Sequence, residues 1–581
     1  MTLDVISWMP EGFFLVTLLA LLCYGITPGA TPFEEQLGVP LHWVKLEISR
    51  LEPKTKGLTL FLSNPSQAEI SFFFKEDNVI TTEMLSKKSK LFVENIALNE
   101  KEKTFGEEKK ASFLNYNAPG NSYLGDTIPA SGPGHASALL GAWAIPWCLL
   151  GFLLVFYCPL HTLMAGGVFL RDLFSVQLGS LQWIFAAAVL TMTLSWQKSA
   201  GIVHPEYISL TLLALLGQHL LMCSTDLMAM YVCLELQSFA VVVLCSLNYN
   251  NAYSIEAGIK YFLLSAFSSC LLLLGIGLIY WDTGLTQCHH LVELLNTTYI
   301  EPSISLWLGV WLVSLGLLWK LSAAPLHLWV ADVYMGAWSS VTLFLSTLPK
   351  IAVLGFWIHT WHPLWHATFG NSITVFSALS LMVGALAPLA QTQLKRLLAL
   401  SSVGHMGFLL MPLSAGQEAF AALWTYLILY LITNLAMWGL LMWPFGRPGK
   451  NFAGPQYIWD LSALNQTSPA AATAWAGVML SLAGLPPVAG FLGKLGLFWW
   501  ALNSHLYILV GAALVATLLS TIYYLRVLKV AYVDMPGNWG SYGKIPSFNA
   551  YLIAISWSLL VLLLWHGAPL ILSSHLLLLA S

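Results

Sequence analysis

Charge is what this sequence has least of. Asp, Glu, Lys and Arg make up 9% of its 581 residues, where a soluble domain carries about 25%. That scarcity excludes a water-soluble globular enzyme. Half of the charge, 26 of 53 residues, falls between Glu34 and Asp126, so the rest of the chain is poorer still. The net charge of −3 carries no basic excess and excludes a nucleic-acid partner. Paired cysteines are missing as well. The eight cysteines stand mostly singly in apolar surroundings without a C-x-x-C, so no zinc, iron–sulfur or disulfide framework is expected. Neither G-x-x-x-x-G-K-[ST] nor a strand-linked G-x-G-x-x-G occurs, which removes the usual cradles for a nucleotide.

What remains is apolar. Hydrophobic residues are 57% of the chain and the mean hydropathy is +0.71. Phe13 to Ile26 is a first apolar segment; its flanks carry Asp4 and Glu11 rather than a basic start, so a retained helix is expected over 1–26. Residues 27–138 form a charged hydrophilic insertion, with alternating signs from Glu100 to Lys110 and two short strand candidates, Gly57 to Leu62 and Ile70 to Phe74. From Leu139 the chain repeats apolar segments of about 20 residues, the length that spans a bilayer as a helix. They run over 139–160, 178–197, 205–223, 226–247, 256–281, 303–324, 336–359, 371–390, 395–413, 418–443, 468–500, 506–531 and 549–572. The expectation is an all-α polytopic membrane protein of about fourteen transmembrane helices. Gly484, Pro486, Pro487 and Gly490 divide 468–500 into two half-helices.

Four charges lie well inside these spans: Glu235, Lys320, Lys350 and Lys494. Each lysine at a bilayer centre costs about 2.5–3.5 kcal/mol, so such residues are paired, hydrated or partly neutral. Lys320 precedes Pro325, Lys350 follows Pro349, and Lys494 follows Pro486 and Pro487. A proline withholds a backbone donor and opens the helix beside the charge. Lysine suits a proton relay because its charge state responds to its surroundings, whereas arginine stays charged. The competing reading is snorkelling to an interface, or for Glu235 a structural hydrogen bond. Glu235 and Lys320 together would make a switch whose state depends on their separation.

Other groups stand further back. His327 lies two turns beyond Lys320, as a relay group or a satisfied pore histidine. His405, in Ser401 to Gly407, is a proton carrier or a packing residue. Lys395 and Arg396 read as interface anchors, Glu256 and Lys260 as an ion pair one turn apart, and Asp332 as a cap at a break. Arg526 and Lys529 are either snorkelling residues or part of an exit path.

Leu234-Glu235-Leu236-Gln237-Ser238, Glu256 to Tyr261, Gly316 to Trp329 with Asp332-Val333-Tyr334, Leu394 to Gly407 and Ser481 to Lys494 occur in order along the chain. At these residues it resembles the antiporter-like subunit 2 (bacterial subunit N) of proton-pumping NADH:quinone oxidoreductase, respiratory complex I. The resemblance spans roughly 139–572 and the first helix. It implies two inverted five-helix repeats with broken helices, here 201–360 and 361–535, preceded by helices in 139–200 and followed by one in 536–581. It also implies that Glu235 and Lys320 are the coupled pair, Lys350 the central relay and Lys494 the second-half channel lysine. NADH, FMN, iron–sulfur clusters and ubiquinone would belong to other subunits, with no cofactor held by this chain. The implied partners are the other membrane-arm subunits and the lipid bilayer, and the implied location is the mitochondrial inner membrane or, alternatively, a bacterial plasma membrane.

Two departures stand out. Ala331 and Met335 to Ser340 replace the family's usual proline before the aspartate and its Glu-Gly-x-Pro-Thr-Pro run. The insertion has no counterpart in typical members and is a candidate contact for accessory subunits. The same residues also admit a subunit of a multisubunit cation/proton antiporter or membrane-bound hydrogenase, and a structural membrane scaffold whose lysines only bind partners or headgroups.

Overall fold

The computed structural model describes residues 58–60, 72–74 and 133–578, apart from short gaps at 158–159, 161, 201–203, 298–302, 447–453, 535–540 and 544. The chain divides into two compact units, one made of Met1–Thr27 with Ala136–Ser581 and the other of Pro28–His135. Within the smaller unit, Leu58–Leu60 and Phe72–Phe74 pair antiparallel with Leu58 opposite Phe74. Both expected strands are therefore present. The expected first helix lies outside the described residues.

The larger unit is a bundle of apolar helices. Every apolar segment expected from Leu139 onward is helical, and eleven stretches among the described residues are long and apolar enough to cross a membrane. This is fewer than the expected number. Ser339–Ala390 holds two of the expected spans in succession, the first passing through a π-turn at Trp357–Trp361 and Gly370 (φ 56°) parting it from Ile373–Leu386. The segment 468–500 is split into Pro469–Ala483 and Gly490–Asn503, each too short to cross alone. Ala252–Thr283, at 32 residues, is about 48 Å long and exceeds the hydrocarbon thickness, so it tilts or projects. Asn251 accepts from the Tyr253 N–H at its start, and Gly284 ends it in the left-handed region (φ 66°).

Two helices hold the middle. Leu394–Ala415 and Phe420–Leu441 are buried along nearly their whole length, whereas Ser547–Trp565 is largely exposed at the periphery. Phe420–Leu441 packs against Ser339–Phe356 on one side and Gly490–Asn503 on the other. Ile373–Leu386 lies so close to Leu394–Ala415 that a Cβ on Gly384 would stand 2.1 Å from the Gly404 backbone nitrogen. Only glycine allows that crossing.

Both expected breaks occur, and their backbones are alike. Ile304–Leu321 stops at Ser322 (φ 64°) and the chain resumes as Leu328–Gly336. Pro469–Ala483 stops at Gly484 (φ 75°) and resumes at Gly490. In each case the left-handed residue turns its N–H back onto the last carbonyls of the first half-helix. The breaks begin ahead of their prolines, at the left-handed residue.

Candidate functional site

In the first half, Lys320 sits in the last turn of Ile304–Leu321, where the helix dipole favours a cation. Its side chain is 7% exposed, and its Nζ has no hydrogen-bond partner among the described residues. The Trp319 ring centroid lies 5.4 Å away. Across the break Trp329 stacks on Trp319 at 5.1 Å and donates its ring N–H to the Trp319 carbonyl at 3.2 Å, bracing the gap. Glu235 is half-buried on Leu227–Ser246. One carboxylate oxygen accepts from Ser238 Oγ at 3.3 Å, and the other is buried without a partner among the described residues. Glu235 and Lys320 are thus not an ion pair here. His327 stands half-buried at the start of Leu328–Gly336 with Nδ1 unpartnered among the described residues. It forms no hydrogen bond with Lys320.

At the centre, Ser339–Phe356 continues as a helix through Pro349, so the proline does not open the helix beside Lys350 as the sequence suggests. Lys350 is 2% exposed and donates from Nζ to the Tyr430 hydroxyl at 2.7 Å. Among the described residues no carboxylate lies within ion-pair distance of it.

The second half arranges its lysine differently. Lys494 lies beyond its break, on Gly490–Asn503, and reaches back to donate to the carbonyls of Leu482 (3.0 Å) and Ala483 (2.8 Å). Those carbonyls end the preceding half-helix, so the ammonium satisfies orphan acceptors and meets the negative end of the dipole. Gly484 leaves space for this reach: a Cβ there would lie 2.5 Å from Lys494 Cδ. His405 is buried on Leu394–Ala415, with Nδ1 bonded to the Tyr426 hydroxyl (2.8 Å) and Nε2 to the Tyr524 hydroxyl (3.1 Å). A cavity of about 10 Å³ beside it is lined by Ser401, His405, Lys494, Ser520 and Tyr524, room for roughly one water.

The peripheral charges also find partners. Lys260 pairs with Glu256 at 2.6 Å, as its spacing predicts, and with Asp332 at 2.9 Å. Arg396 reaches Asp332 at 3.5 Å. Asp332 therefore does not cap a break; it lies within Leu328–Gly336 and ties that half-helix to two neighbours. Lys395 is half-buried and donates to the Ala337 carbonyl at 3.1 Å, so it clamps a loop rather than only marking an interface. Arg526 donates to the Leu389 carbonyl at 3.3 Å. No cluster of His, Cys, Asp and Glu suited to a metal occurs among the described residues. Sequence reasoning missed Tyr426, Tyr430 and Tyr524. The one available signal was the four-residue spacing of Tyr426 and Tyr430, which places both on one helix face.

Residues 224–520 match the family described as NADH:quinone oxidoreductase/Mrp antiporter, TM. NADH-quinone oxidoreductase subunit N 1 of Rhizobium meliloti is 37% identical over 376 residues, 64% of this chain and 77% of that protein. NADH-ubiquinone oxidoreductase chain 2 of Marchantia polymorpha is 34% identical over 395 residues, covering 67% and 80%. A chain of respiratory complex I from Thermus thermophilus superposes with a TM-score of 0.62 at 28% identity, covering 75% of this chain and 93% of that one. A chain of the Mrp complex from Dietzia, at 20% identity and a TM-score of 0.63, shares the fold.

Proposed function

Because this chain belongs to the NADH:quinone oxidoreductase/Mrp antiporter membrane family, and its relatives are subunit N and chain 2 proteins, we propose that it is the proton-translocating membrane-arm subunit of a complex I. The observation that carries this reading is the set of three lysines, Lys320, Lys350 and Lys494, each buried in apolar helices with no carboxylate within ion-pair distance among the described residues. Leaving such groups in place for structure alone is costly. Breaks in the helices beside two of them supply polar backbone along which a proton can move.

Protons pass by changes of protonation along Glu235, Lys320, Lys350, His405 and Lys494, with His327 as a side group of the first half. Moving one proton against 100 mV requires about 2.3 kcal/mol, so the driving reaction is electron transfer from NADH to ubiquinone in the other subunits. Those subunits hold NADH, FMN, the iron–sulfur clusters and ubiquinone. The chain acts within that translocase, in contact with other membrane-arm subunits and lipid, in the mitochondrial inner membrane. The charged insertion over 27–138 contacts accessory subunits. Normal assembly after deletion of 34–126 would remove that last assignment.

The decisive experiment replaces Lys320 with Met in the whole complex, in sealed membrane vesicles. Assembled complex that oxidises NADH but no longer acidifies the vesicle lumen is the expected result. Unchanged pumping would leave the chain a scaffold. Co-purification with NADH-oxidising subunits separates complex I from a cation/proton antiporter assembly.

A further inference from the structure

Among the described residues no hydrogen bond joins Lys350 to His405. Both ring nitrogens of His405 are taken by Tyr426 and Tyr524, and among the described residues the Lys350 ammonium bonds only to Tyr430. The Tyr430 ring lies against both groups. Its centroid is 5.1 Å from Lys350 Nζ, which lies off the hydroxyl edge, and 5.5 Å from the His405 ring, which faces it at 40°. Tyr430 is 3% exposed and lies one helical turn from Tyr426 on the same helix. Tyr524 brings a third hydroxyl from Tyr507–Tyr532 to this group. The fold has thus gathered hydroxyls, which both donate and accept, where two like-charged groups would otherwise meet.

We propose that Tyr430 carries the proton between Lys350 and His405, making the centre of the relay a hydroxyl bridge. The inference rests on the proton-translocating reading above. An ammonium proton passes from Lys350 Nζ to the Tyr430 oxygen as the Tyr430 O–H proton turns to the oxygen of Tyr426 or Tyr524, whose own O–H proton goes to the unprotonated ring nitrogen of His405. Lys350 ends neutral, Tyr430 is unchanged in charge, and the positive charge moves to the His405 side. The hydroxyl can do this in either direction. A phenylalanine ring would fill the same space and carry nothing.

The test compares Tyr430→Phe, Tyr430→His and Lys350→Met in the complete complex, in sealed vesicles, by NADH-driven proton uptake and its pH profile. Each variant is first checked for assembled complex. Tyr430→Phe should assemble normally and lower proton uptake on the order of 10²-fold or more, as for a lost proton-transfer group. Tyr430→His, which can also donate and accept, should restore part of it with a shifted pH profile. Wild-type uptake in Tyr430→Phe, while Lys350→Met abolishes pumping, would overturn the bridge and leave the broader function standing. Failure of Tyr430→Phe to assemble would also overturn it, by making the hydroxyl structural. Unchanged pumping in Lys350→Met would instead strike the proposed function itself.

Discussion

Glu235 and Lys320 stand on separate helices and form no ion pair. Among the described residues the lysine ammonium has no hydrogen-bond partner and the glutamate accepts only from Ser238. The proposed first-half switch would therefore work through space rather than through a contact.

A consequence can be measured at Glu235. Glu235→Gln keeps the shape and removes the charge. A through-space interaction on the order of 1–2 kcal/mol corresponds to roughly tenfold in rate, so NADH-driven proton uptake should fall by about that factor. Glu235→Asp keeps the charge and should stay within about twofold of wild type, since no contact distance has to be preserved. Equal damage from both variants would show that the length of the side chain matters and the link is a contact.

One substitution separates the capping contacts of Lys494 from its proposed relay role. Lys494→Arg keeps a cation that can cap the Leu482 and Ala483 carbonyls, but arginine does not release its proton. The complex should assemble, with proton uptake lowered on the order of 10²-fold. Lys494→Met should lose the caps as well, destabilising the subunit by about 1–3 kcal/mol, seen as a lower thermal midpoint. Pumping that survives Lys494→Arg would remove the residue from the relay.

The two breaks make opposite predictions from one backbone conformation. Ser322 holds φ 64° with a side chain present, so Ser322→Gly should stabilise the first break by about 1 kcal/mol. Gly484→Ala should destabilise the second by at least about 1–2 kcal/mol, because its Cβ would also strike Lys494 Cδ. Thermal unfolding of the purified complex reads both. A stabilising Gly484→Ala would contradict the account.

Asp332 bridges Lys260 and Arg396, yet all three are about a third or more exposed. Asp332→Asn should therefore cost no more than about 1 kcal/mol and leave pumping near wild type. A loss of pumping would move this cluster from the periphery into the proton path.

The sequence exposed some of this organisation and concealed the rest. Rare groups were visible: a lysine in twenty apolar residues is conspicuous, and Lys320, Lys350 and Lys494 are all buried in the bundle. The breaks were visible because Pro325, Pro486 and Pro487 interrupt otherwise continuous helices. Tyr426, Tyr430 and Tyr524 were not, since tyrosine is common in apolar helices and its role depends on which face meets which neighbour. Asp332 was misplaced for a related reason. A carboxylate near a proline-broken segment reads as a cap, whereas its partners come from helices 72 and 64 residues away in sequence.

The unequal mounting of the two lysines bears on how the chain meets a voltage. An electric field does work only on charge that moves through it, about 2.3 kcal/mol for a unit charge crossing 100 mV. Lys494 is tethered to two carbonyls and can shift little without breaking those bonds. Lys320 Nζ has no hydrogen bond to lose among the described residues. A potential across the membrane would therefore shift the first ammonium more readily than the second, and back-pressure from an energised membrane should be felt first in the half that holds Glu235.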